Sequence, residues 1–393
     1  MKRIWIGCLL AVLAAPSFAV IGTVDDVPAA TLLLPYFEVD IADPAGVDTI
    51  FSVNNASATA VLGHVVVWTD MSVEAFDFNI YLTGYDMQTV SMGLMIRDGL
   101  LPVTASAGQD PTDGISPHGI ISQDINFASC NGIFPYDSPE LDAAYIEHLQ
   151  SILTGGPSEF YGGLCGGWEY GDGIARGYVT IDAVNSCTLL RPCDPGYLTS
   201  IVTYQNVLWG DWFIIEGDQN FAQGDAMVSI EAFPNQTIEN PFVNGTFWGR
   251  CYGNNQGTNP DFREPLPSVF GATYFENAAF SGGTDLMVWR DSRTASTDGF
   301  SCANGPSWFP LTQDQVVGFD QQENPEEGGC TISPCPEELP LFILEAQRVP
   351  VSALNFTPQS GWIYLNLNQG GNHGQAWVTS VYKAEGRYSA GIA

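Results

Sequence analysis

The chain has 393 residues, with 44 aspartates and glutamates against 12 lysines and arginines, so its formal net charge is −32 at pH 7. The few basic residues are scattered, and this argues against a nucleic-acid or anionic-membrane partner, because both require basic patches that neutralise phosphate. The acidic surplus instead suits divalent cations, a cationic partner or solubility in salty surroundings.

The first predicted element is a secretory signal peptide at residues 1–19, cleaved after Ala19. A basic start precedes an almost wholly apolar stretch at 4–15, and Ser17 and Ala19 place small residues before the cut. The apolar stretch is shorter than the roughly 20 residues that a membrane-spanning helix needs, and we expect no transmembrane segment in the mature chain. The protein is therefore predicted to be secreted, whether extracellular, on the cell surface or in the periplasm. A lipoprotein cut before Cys8 is the alternative.

Beyond the leader, the pattern predicts a mainly β protein of antiparallel β-sandwich-like domains, with one short helical insertion and disulfide-stapled loops. Ten segments give the clearest strand signal, because they carry alternating or β-branched and aromatic residues between Gly, Asn and Pro breaks. They are residues 49–53, 60–68, 76–82, 177–184, 207–215, 226–233, 285–289, 341–346, 361–367 and 376–383.

The length that remains after the leader suggests two domains. A stretch rich in Asn, Gly, Pro and Thr at 234–260 predicts the boundary, so we expect a first domain at 20–236 and a second β-rich domain at 237–393. Three short echoes between the halves leave a duplicated sandwich open as an alternative. They match 67–70 with 288–291, 86–90 with 345–349, and 176–179 with 360–363.

One helix is predicted inside the first domain, near 138–154. Ser138 supplies an N-cap, Pro139 occupies the first helical position, and Glu140 adds an acid to the first turn. Apolar residues then recur every three or four positions and form one face, and Gly155 ends the helix. The apolar face consists of Leu141, Tyr145, Leu149 and Ile152.

Eight cysteines remain once the leader is removed, and an even number in an exported chain predicts disulfides. They are Cys130, Cys165, Cys187, Cys193, Cys251, Cys302, Cys330 and Cys335. The sequence does not fix their connectivity. Our expectation is that neighbours pair in order, as Cys130–Cys165, Cys187–Cys193, Cys251–Cys302 and Cys330–Cys335.

The motifs of common enzyme classes are missing from the sequence, which contains no G-x-S-x-G, no H-E-x-x-H and no glycine motif for phosphates or dinucleotides. We therefore assign no catalytic and no cofactor-binding residue. Acids lie near aromatic residues at two places, around Trp168 and around Trp212, and such platforms could grip a sugar. A secreted carbohydrate-active hydrolase with two facing carboxylates is thus the alternative function. The acids are Glu169, Asp172, Asp211 and Glu216.

Calcium is the ion that best suits this sequence, because it takes several carboxylate and carbonyl oxygens from loops. Two segments offer such oxygens, 38–43 and 216–220, although neither has EF-hand spacing. The candidate ligands are Asp40, Asp43 and Asp218. A structural calcium is therefore a hypothesis, and no other cofactor is expected.

Five stretches resemble uncharacterised secreted β-rich proteins of Gram-negative bacteria, and they fall in the first two thirds of the chain. They are residues 51–55, 81–86, 175–180, 206–211 and 220–225. The resemblance implies export and carries no known activity.

We therefore expect a secreted or cell-surface protein without catalytic activity, which works by binding, adhesion or extracellular structural assembly. Its expected partners are further copies of itself, extracellular matrix or glycan. The acidic, lysine-poor composition and the missing enzyme motifs carry this expectation.

Overall fold

The computed structural model describes residues 27–104, 127–232, 261–276, 282–294, 298–326, 341–356, 359–370, 374–384 and 388–392. Within these ranges the protein is mainly β and its sheets are antiparallel, which confirms the predicted fold class. The predicted signal peptide at 1–19 and the cysteines Cys251, Cys330 and Cys335 lie outside the described residues, so these remain predictions.

Sheet I is the central layer of the first half. All nine residues of one strand and nine of the ten residues of another are buried, so both faces of the sheet are covered. This explains why these strands are nearly continuous apolar runs instead of alternating patterns. In the order β12-β1-β8-β3-β4, the strands are Val228–Ile230, Thr31–Asp40, Ile174–Val184, Val61–Thr69 and Glu74–Leu82.

Sheet II has one buried face and one face in solvent. In its strand β10 (Asp211–Glu216), Trp212 and Ile214 are buried while Phe213 and Ile215 are exposed, the alternation expected for a half-covered antiparallel sheet. Its inward residues belong to the same hydrophobic core as sheet I. In the order β11-β10-β2-β5, the other strands are Phe221–Ala226, Val47–Asn55 and Met87–Ser91, and β9 (Leu208–Trp209) pairs with β2.

Two further sheets form the second half around a separate core, to which Leu286 and Ile363 contribute. Sheet III has the order β13-β18-β15-β16, with strands Val269–Phe275, Ser360–Asn366, Gln315–Asp320 and Pro325–Glu326. Sheet IV has the order β17-β14-β19-β20, with strands Ala346–Pro350, Gly283–Arg290, Ala376–Ala384 and Tyr388–Ile392. Each of these described sheets takes its strands from one half. The predicted boundary after residue 236 lies outside the described residues and stays a prediction.

The predicted helix begins later than its sequence indicates. Helix α2 (Ala143–Leu153) is capped by Asp142, whose carboxylate accepts the backbone N–H groups of Ala144 and Tyr145. The predicted cap at Ser138 is wrong, because the Ser138 hydroxyl donates within its own turn to the carbonyl of Glu140. Besides short 3-10 helices, the described chain contains α1 (Met92–Asp98) and a π-helix (Tyr197–Ile201).

Two disulfides join cysteines that are distant in the sequence. Cys130 bonds Cys187 across 57 residues, and Cys165 bonds Cys302 across 137 residues. The expected pairs Cys130–Cys165, Cys187–Cys193 and Cys251–Cys302 are therefore wrong, because the fold brings segments that are distant in the sequence side by side. Cys193 is also disulfide-bonded. Since the other described cysteines bond one another, its partner lies outside the described residues, as do both cysteines of the expected Cys330–Cys335 pair.

The three sequence echoes do not occupy equivalent places in the two halves. In the first half, β3 pairs with β8, but their counterparts β14 and β18 lie in different sheets. In the second half, β14 pairs with β17, whereas β3 and β5 lie in different sheets. The strand pairing therefore gives no support to the duplicated-sandwich alternative.

The two halves share buried apolar surface. Trp289 of β14 packs edge-on against Tyr178 of β8 with 5.9 Å between ring centroids, and Tyr178 stacks on Trp68 of β3 at 6.0 Å. All three rings are buried, and they belong to one hydrophobic core together with Met287 and Ala346. The second half thus covers part of sheet I.

A buried charge cluster surrounds Arg348 where three sheets meet. Its Nη1 lies 2.8 Å from Glu38 Oε2 and 3.2 Å from Glu216 Oε1, and its Nε lies 2.7 Å from Asp285 Oδ2. Burial alone would lower the pKa of Arg348, but the three carboxylates keep that pKa above its ordinary value. One guanidinium therefore ties together sheets I, II and IV.

A second buried arginine anchors the segment that leads into the second half. Arg263 is fully buried, and its Nη1 donates to Asp182 Oδ1 at 2.9 Å and to Thr31 Oγ1 at 3.2 Å. Asp261 accepts from the other guanidinium nitrogens, and the Tyr197 hydroxyl donates to Asp182 Oδ2 at 2.6 Å. Burial opposes the charge, yet Asp261 and Asp182 raise the pKa of Arg263 above its ordinary value.

We expect Arg263→Ala to lower the free energy of unfolding by about 3–5 kcal/mol, because it leaves Asp182 as an unpaired buried charge. The matched control is Arg191→Ala, which removes a partly exposed guanidinium paired with Asp298, Asp194 and Glu74 and should cost clearly less, about 1 kcal/mol. Denaturant unfolding of the three proteins measures both values. Equal losses in the two variants would contradict the assigned role of Arg263.

Candidate functional site

A cavity of about 350 Å³ opens where the two halves meet. Its volume lies at the lower end of the range for small-molecule sites, roughly 300–1,000 Å³. One wall comes from the first half and includes Met71, Trp168 and Glu169, and the other comes from the second half and includes Asn304 and Phe309. A ligand in this cavity would contact both halves at once.

The two walls are joined by main-chain hydrogen bonds and by a disulfide. Strand β7 (Leu164–Cys165), which follows the short β6 (Pro157–Ser158), forms an antiparallel bridge to Phe300. The N–H of Cys165 donates to the Phe300 carbonyl at 3.0 Å, and the N–H of Phe300 donates back at 2.9 Å. The bond between Cys165 and Cys302 lies beside this bridge, and both cysteines line the cavity. The walls are therefore connected before any ligand arrives.

Helix α2 supports the first wall through a glycine. Gly155 follows the helix with φ +85°, in the left-handed region that favours glycine. A Cβ atom at this position would lie 2.4 Å from the carbonyl carbon of Trp168 and 2.4 Å from the nitrogen of Glu169. The turn after α2 thus lies in close contact with the backbone of Trp168 and Glu169.

Aromatic side chains from both halves pack on each other in the lining of the cavity. The ring centroids of Trp168 and Phe309 are 5.2 Å apart and the rings are tilted by 35°, while 38% of Trp168 remains exposed. Glu169 is exposed beside Trp168 and is the only Asp, Glu, Lys, Arg or His among the described lining residues. The site therefore combines flat apolar surfaces with one carboxylate.

Asp70 fixes the backbone of the first wall from behind. Its Oδ1 accepts the N–H of Trp168 at 2.9 Å, and its main-chain carbonyl accepts the N–H groups of Glu345 and Ala346 at 3.1 Å each. The side chain is buried, and Oδ2 has no hydrogen-bond partner among the described residues. Burial raises the pKa of Asp70 to about 8, although the Trp168 N–H and Arg176 oppose the shift. The carboxyl is therefore protonated at neutral pH.

The acids that flank the aromatic residues fall into separate places. Trp168 and Glu169 line the cavity, as the sequence suggests for a ligand platform, but Asp172 does not. Its Oδ2 lies 2.7 Å from Nη2 of Arg176, whose guanidinium carbon is 4.2 Å from the ring centroid of Tyr170. Asp172 therefore belongs to a neighbouring ion pair and not to the cavity.

Asp211 and Glu216 do not form a facing pair of carboxylates. They stand at the two ends of β10, five residues apart, which separates their backbones by about 17 Å. Glycoside hydrolysis needs carboxyl groups within roughly 10 Å of each other. An odd spacing along a strand also directs the two side chains to opposite faces, and Glu216 is bound by Arg348.

The calcium candidates lie on neighbouring loops. Asp40 is the last residue of β1 and Asp43 follows it. Asp218 lies in the 3-10 turn Gly217–Gln219, where a Cβ on Gly217 would be 2.8 Å from the carbonyl oxygen of Ala45. Oδ1 of Asp40 and Oδ1 of Asp43 already accept backbone N–H groups of their own loop. In the part of the chain that the structure describes, no group of three or more His, Cys, Asp or Glu side chains could hold a metal ion. The calcium site stays a prediction.

No protein-family model matches the chain, and neither a curated protein nor a solved structure matches it. Among the described helices, none is long and apolar enough to cross a membrane. The residues of the cavity are therefore the basis for assigning a function.

We expect Asp70 to destabilise the folded protein increasingly as pH rises from about 4 to about 8, because the pKa of its carboxyl is near the ordinary 3.8 when unfolded but near 8 when folded. Asp70→Asn removes this contribution. Relative to the wild type, the variant should gain up to about 3 kcal/mol of unfolding free energy between pH 5 and pH 7.

The control for Asp70 is Asp320→Asn, since hydrogen bonds to Asn324 lower the pKa of this exposed carboxylate below the measured window. Denaturant unfolding at the two pH values gives the comparison. The same pH dependence in the wild type and in Asp70→Asn would show that Asp70 is ionised in the folded protein.

We expect the double variant Cys165→Ser/Cys302→Ser to loosen the second wall. Both this variant and the control Cys130→Ser/Cys187→Ser should be destabilised, by about 5 and about 4 kcal/mol in the chain-entropy model. Only the first should increase amide hydrogen exchange in residues 298–310, which hydrogen-exchange mass spectrometry measures. Equal exchange of that segment in both variants would contradict this role of the disulfide.

Proposed function

We propose that this chain is an exported, non-catalytic binding protein whose ligand lies in the cavity between its two halves. The observation that carries the proposal is the pair Trp168 and Phe309, which come from different halves, pack on each other and together line a cavity of about 350 Å³. Concave sites with aromatic walls and few polar groups are typical of small-ligand binding. The proposed export rests on the predicted signal peptide and suits the disulfides.

The fixed walls support binding. The bridge between Cys165 and Phe300 and the disulfide to Cys302 hold the two sides together without a ligand. A site that is already formed spends less free energy on ordering its side chains and loops, which favours affinity. The fully buried Asp70 and the close contact of Gly155 fix the Trp168 backbone in the same way.

The charges of the cavity favour binding over hydrolysis. A glycosidase requires two carboxyl groups on either side of the bond that it cleaves, and Glu169 is the one carboxylate among the described lining residues. Asp70 is not a second one, because it is buried behind the backbone of Trp168. These facts speak against the alternative of a carbohydrate-active hydrolase.

The test is a ligand panel measured by isothermal titration calorimetry on the mature chain, with neutral disaccharides (cellobiose and maltose), organic ammonium ions (choline and tetramethylammonium) and carboxylates (benzoate and glucuronate). We expect one class to bind, and Trp168→Ala to weaken that binding by roughly tenfold or more. The control is Trp362→Ala, since Trp362 is 37% exposed but stacks on Phe319 in sheet III, outside the cavity.

Two results would overturn the proposal. Binding that is equally strong in the wild type and Trp168→Ala would remove the cavity from consideration, as would the failure of every probe to bind. Hydrolysis of a glycan panel that is lost in Glu169→Gln would establish the hydrolase alternative.

A further inference from the structure

We infer that the cavity selects an organic ammonium ion, such as a quaternary or alkylated amine, and this rests on the proposed binding function. The lining provides a negative charge and no described positive one, because Glu169 is its only ionisable side chain apart from the disulfide-bonded cysteines. An anionic ligand would lose its hydration and gain no counter-charge. The negative charge of the lining therefore favours a cation or a neutral molecule as the ligand.

Two arginines of the first half are paired with carboxylates outside the cavity. Arg176 binds Asp172 and lies 3.5 Å from Glu38, and its guanidinium covers the Tyr170 ring. Arg191 pairs with Asp298. Neither lines the cavity, so neither neutralises Glu169 from within it.

The aromatic walls distinguish a cation from a neutral sugar. An ammonium group is attracted to the face of an aromatic ring, and tryptophan is the strongest of the natural rings in this respect. Trp168 and Phe309 offer such faces, and Glu169 supplies the matching charge. A sugar needs several hydrogen-bonding side chains, but among the described lining residues only Glu169 and Asn304 have polar side chains of this kind.

An organic cation also fits better than a metal ion. Calcium takes six to eight oxygen ligands, and one carboxylate with one amide does not approach that number. A methylated or alkylated amine keeps an apolar surface around its charge, which matches aromatic walls and a cavity of about 350 Å³. The ligand is therefore a small amine or the amine end of a larger molecule.

A cation already lies over an aromatic ring at Tyr170, two residues after Trp168. The guanidinium of Arg176 lies 4.2 Å from the ring centroid of Tyr170, and the Asp172 carboxylate binds the same guanidinium. The Tyr170 ring and the Asp172 carboxylate therefore both contact the Arg176 guanidinium. Trp168 and Glu169 present the same pair of groups toward the cavity.

The charge of the whole chain assists the approach of such a ligand. A net charge of −32 creates a negative potential that attracts cations and weakens as salt screens it. The inference therefore includes a salt dependence: the affinity for an ammonium ion falls as sodium chloride is raised, whereas the affinity for a neutral analogue does not.

The deciding experiment compares choline with its uncharged carbon analogue, 3,3-dimethyl-1-butanol, by isothermal titration calorimetry on the full mature chain. We expect choline to bind about tenfold or more tightly than the analogue, because only choline is attracted to ring faces and to Glu169. Sodium chloride at high concentration should weaken only the choline binding.

Three variants test whether Trp168 and Glu169 bind choline. Trp168→Ala and Glu169→Gln should each weaken choline binding about fivefold or more, and Trp168→Phe should have a smaller effect because a weaker aromatic face remains. The control for charge is Glu147→Gln on the exposed side of α2, which should leave choline binding unchanged. Thermal unfolding of each variant verifies that it is folded.

The outcomes separate this inference from the proposed function. Equal affinity for choline and for the carbon analogue overturns the ammonium assignment, as does Trp168-dependent binding of cellobiose or benzoate without choline binding, and in both cases the cavity still binds a ligand. If no probe binds in a Trp168-dependent manner, the proposed function fails as well.

Discussion

The central sheet of this protein is buried on both faces, and this constraint determines how the rest of the chain is arranged. Sheet II covers only part of the apolar surface that β1 and β3 present, so further elements must cover the remainder. Helix α2 supplies some of this cover, and the second half supplies more through Trp289, which packs on Tyr178. The second half has a core of its own, but Met287, Trp289 and Ala346 belong to the core of the first half, so one half covers part of the other.

The cavity is a consequence of that contact. Its two walls belong to different halves, so its shape depends on how the two halves pack against each other. Asp70 contributes both to the cavity wall and to the contact between the halves. Its side chain accepts the Trp168 N–H, and its main-chain carbonyl accepts N–H groups at the start of β17. A neutral carboxyl suits this position, since a buried charge without a counter-ion would cost far more free energy.

Most strands were predictable from the sequence, including the fully buried β3 and β14, whereas β1 and the irregular segments were not. Alternation identified most of β2 and β10, but β1 was missed because Pro35 interrupts its pattern at a register shift. Residues 341–346 resembled a strand, yet most of them are irregular. The guanidinium of Arg290 and the amide of Gln347 bind their main chain in place of a neighbouring strand.

The sequence predicted the part of the site that comes from one short segment. The juxtaposition of Trp168 and Glu169 indicated a platform, because both residues are local. Phe309 and Asp70 were not predictable, since they come from distant segments that only the folded chain brings together. The disulfide partners were missed for the same reason.

The bond between Cys165 and Cys302 spans 137 residues, more than a third of the chain, and it encloses the predicted domain boundary. A protease that cuts the backbone anywhere inside this interval leaves the two walls of the cavity covalently attached to each other. The cavity can therefore outlast the continuity of the polypeptide.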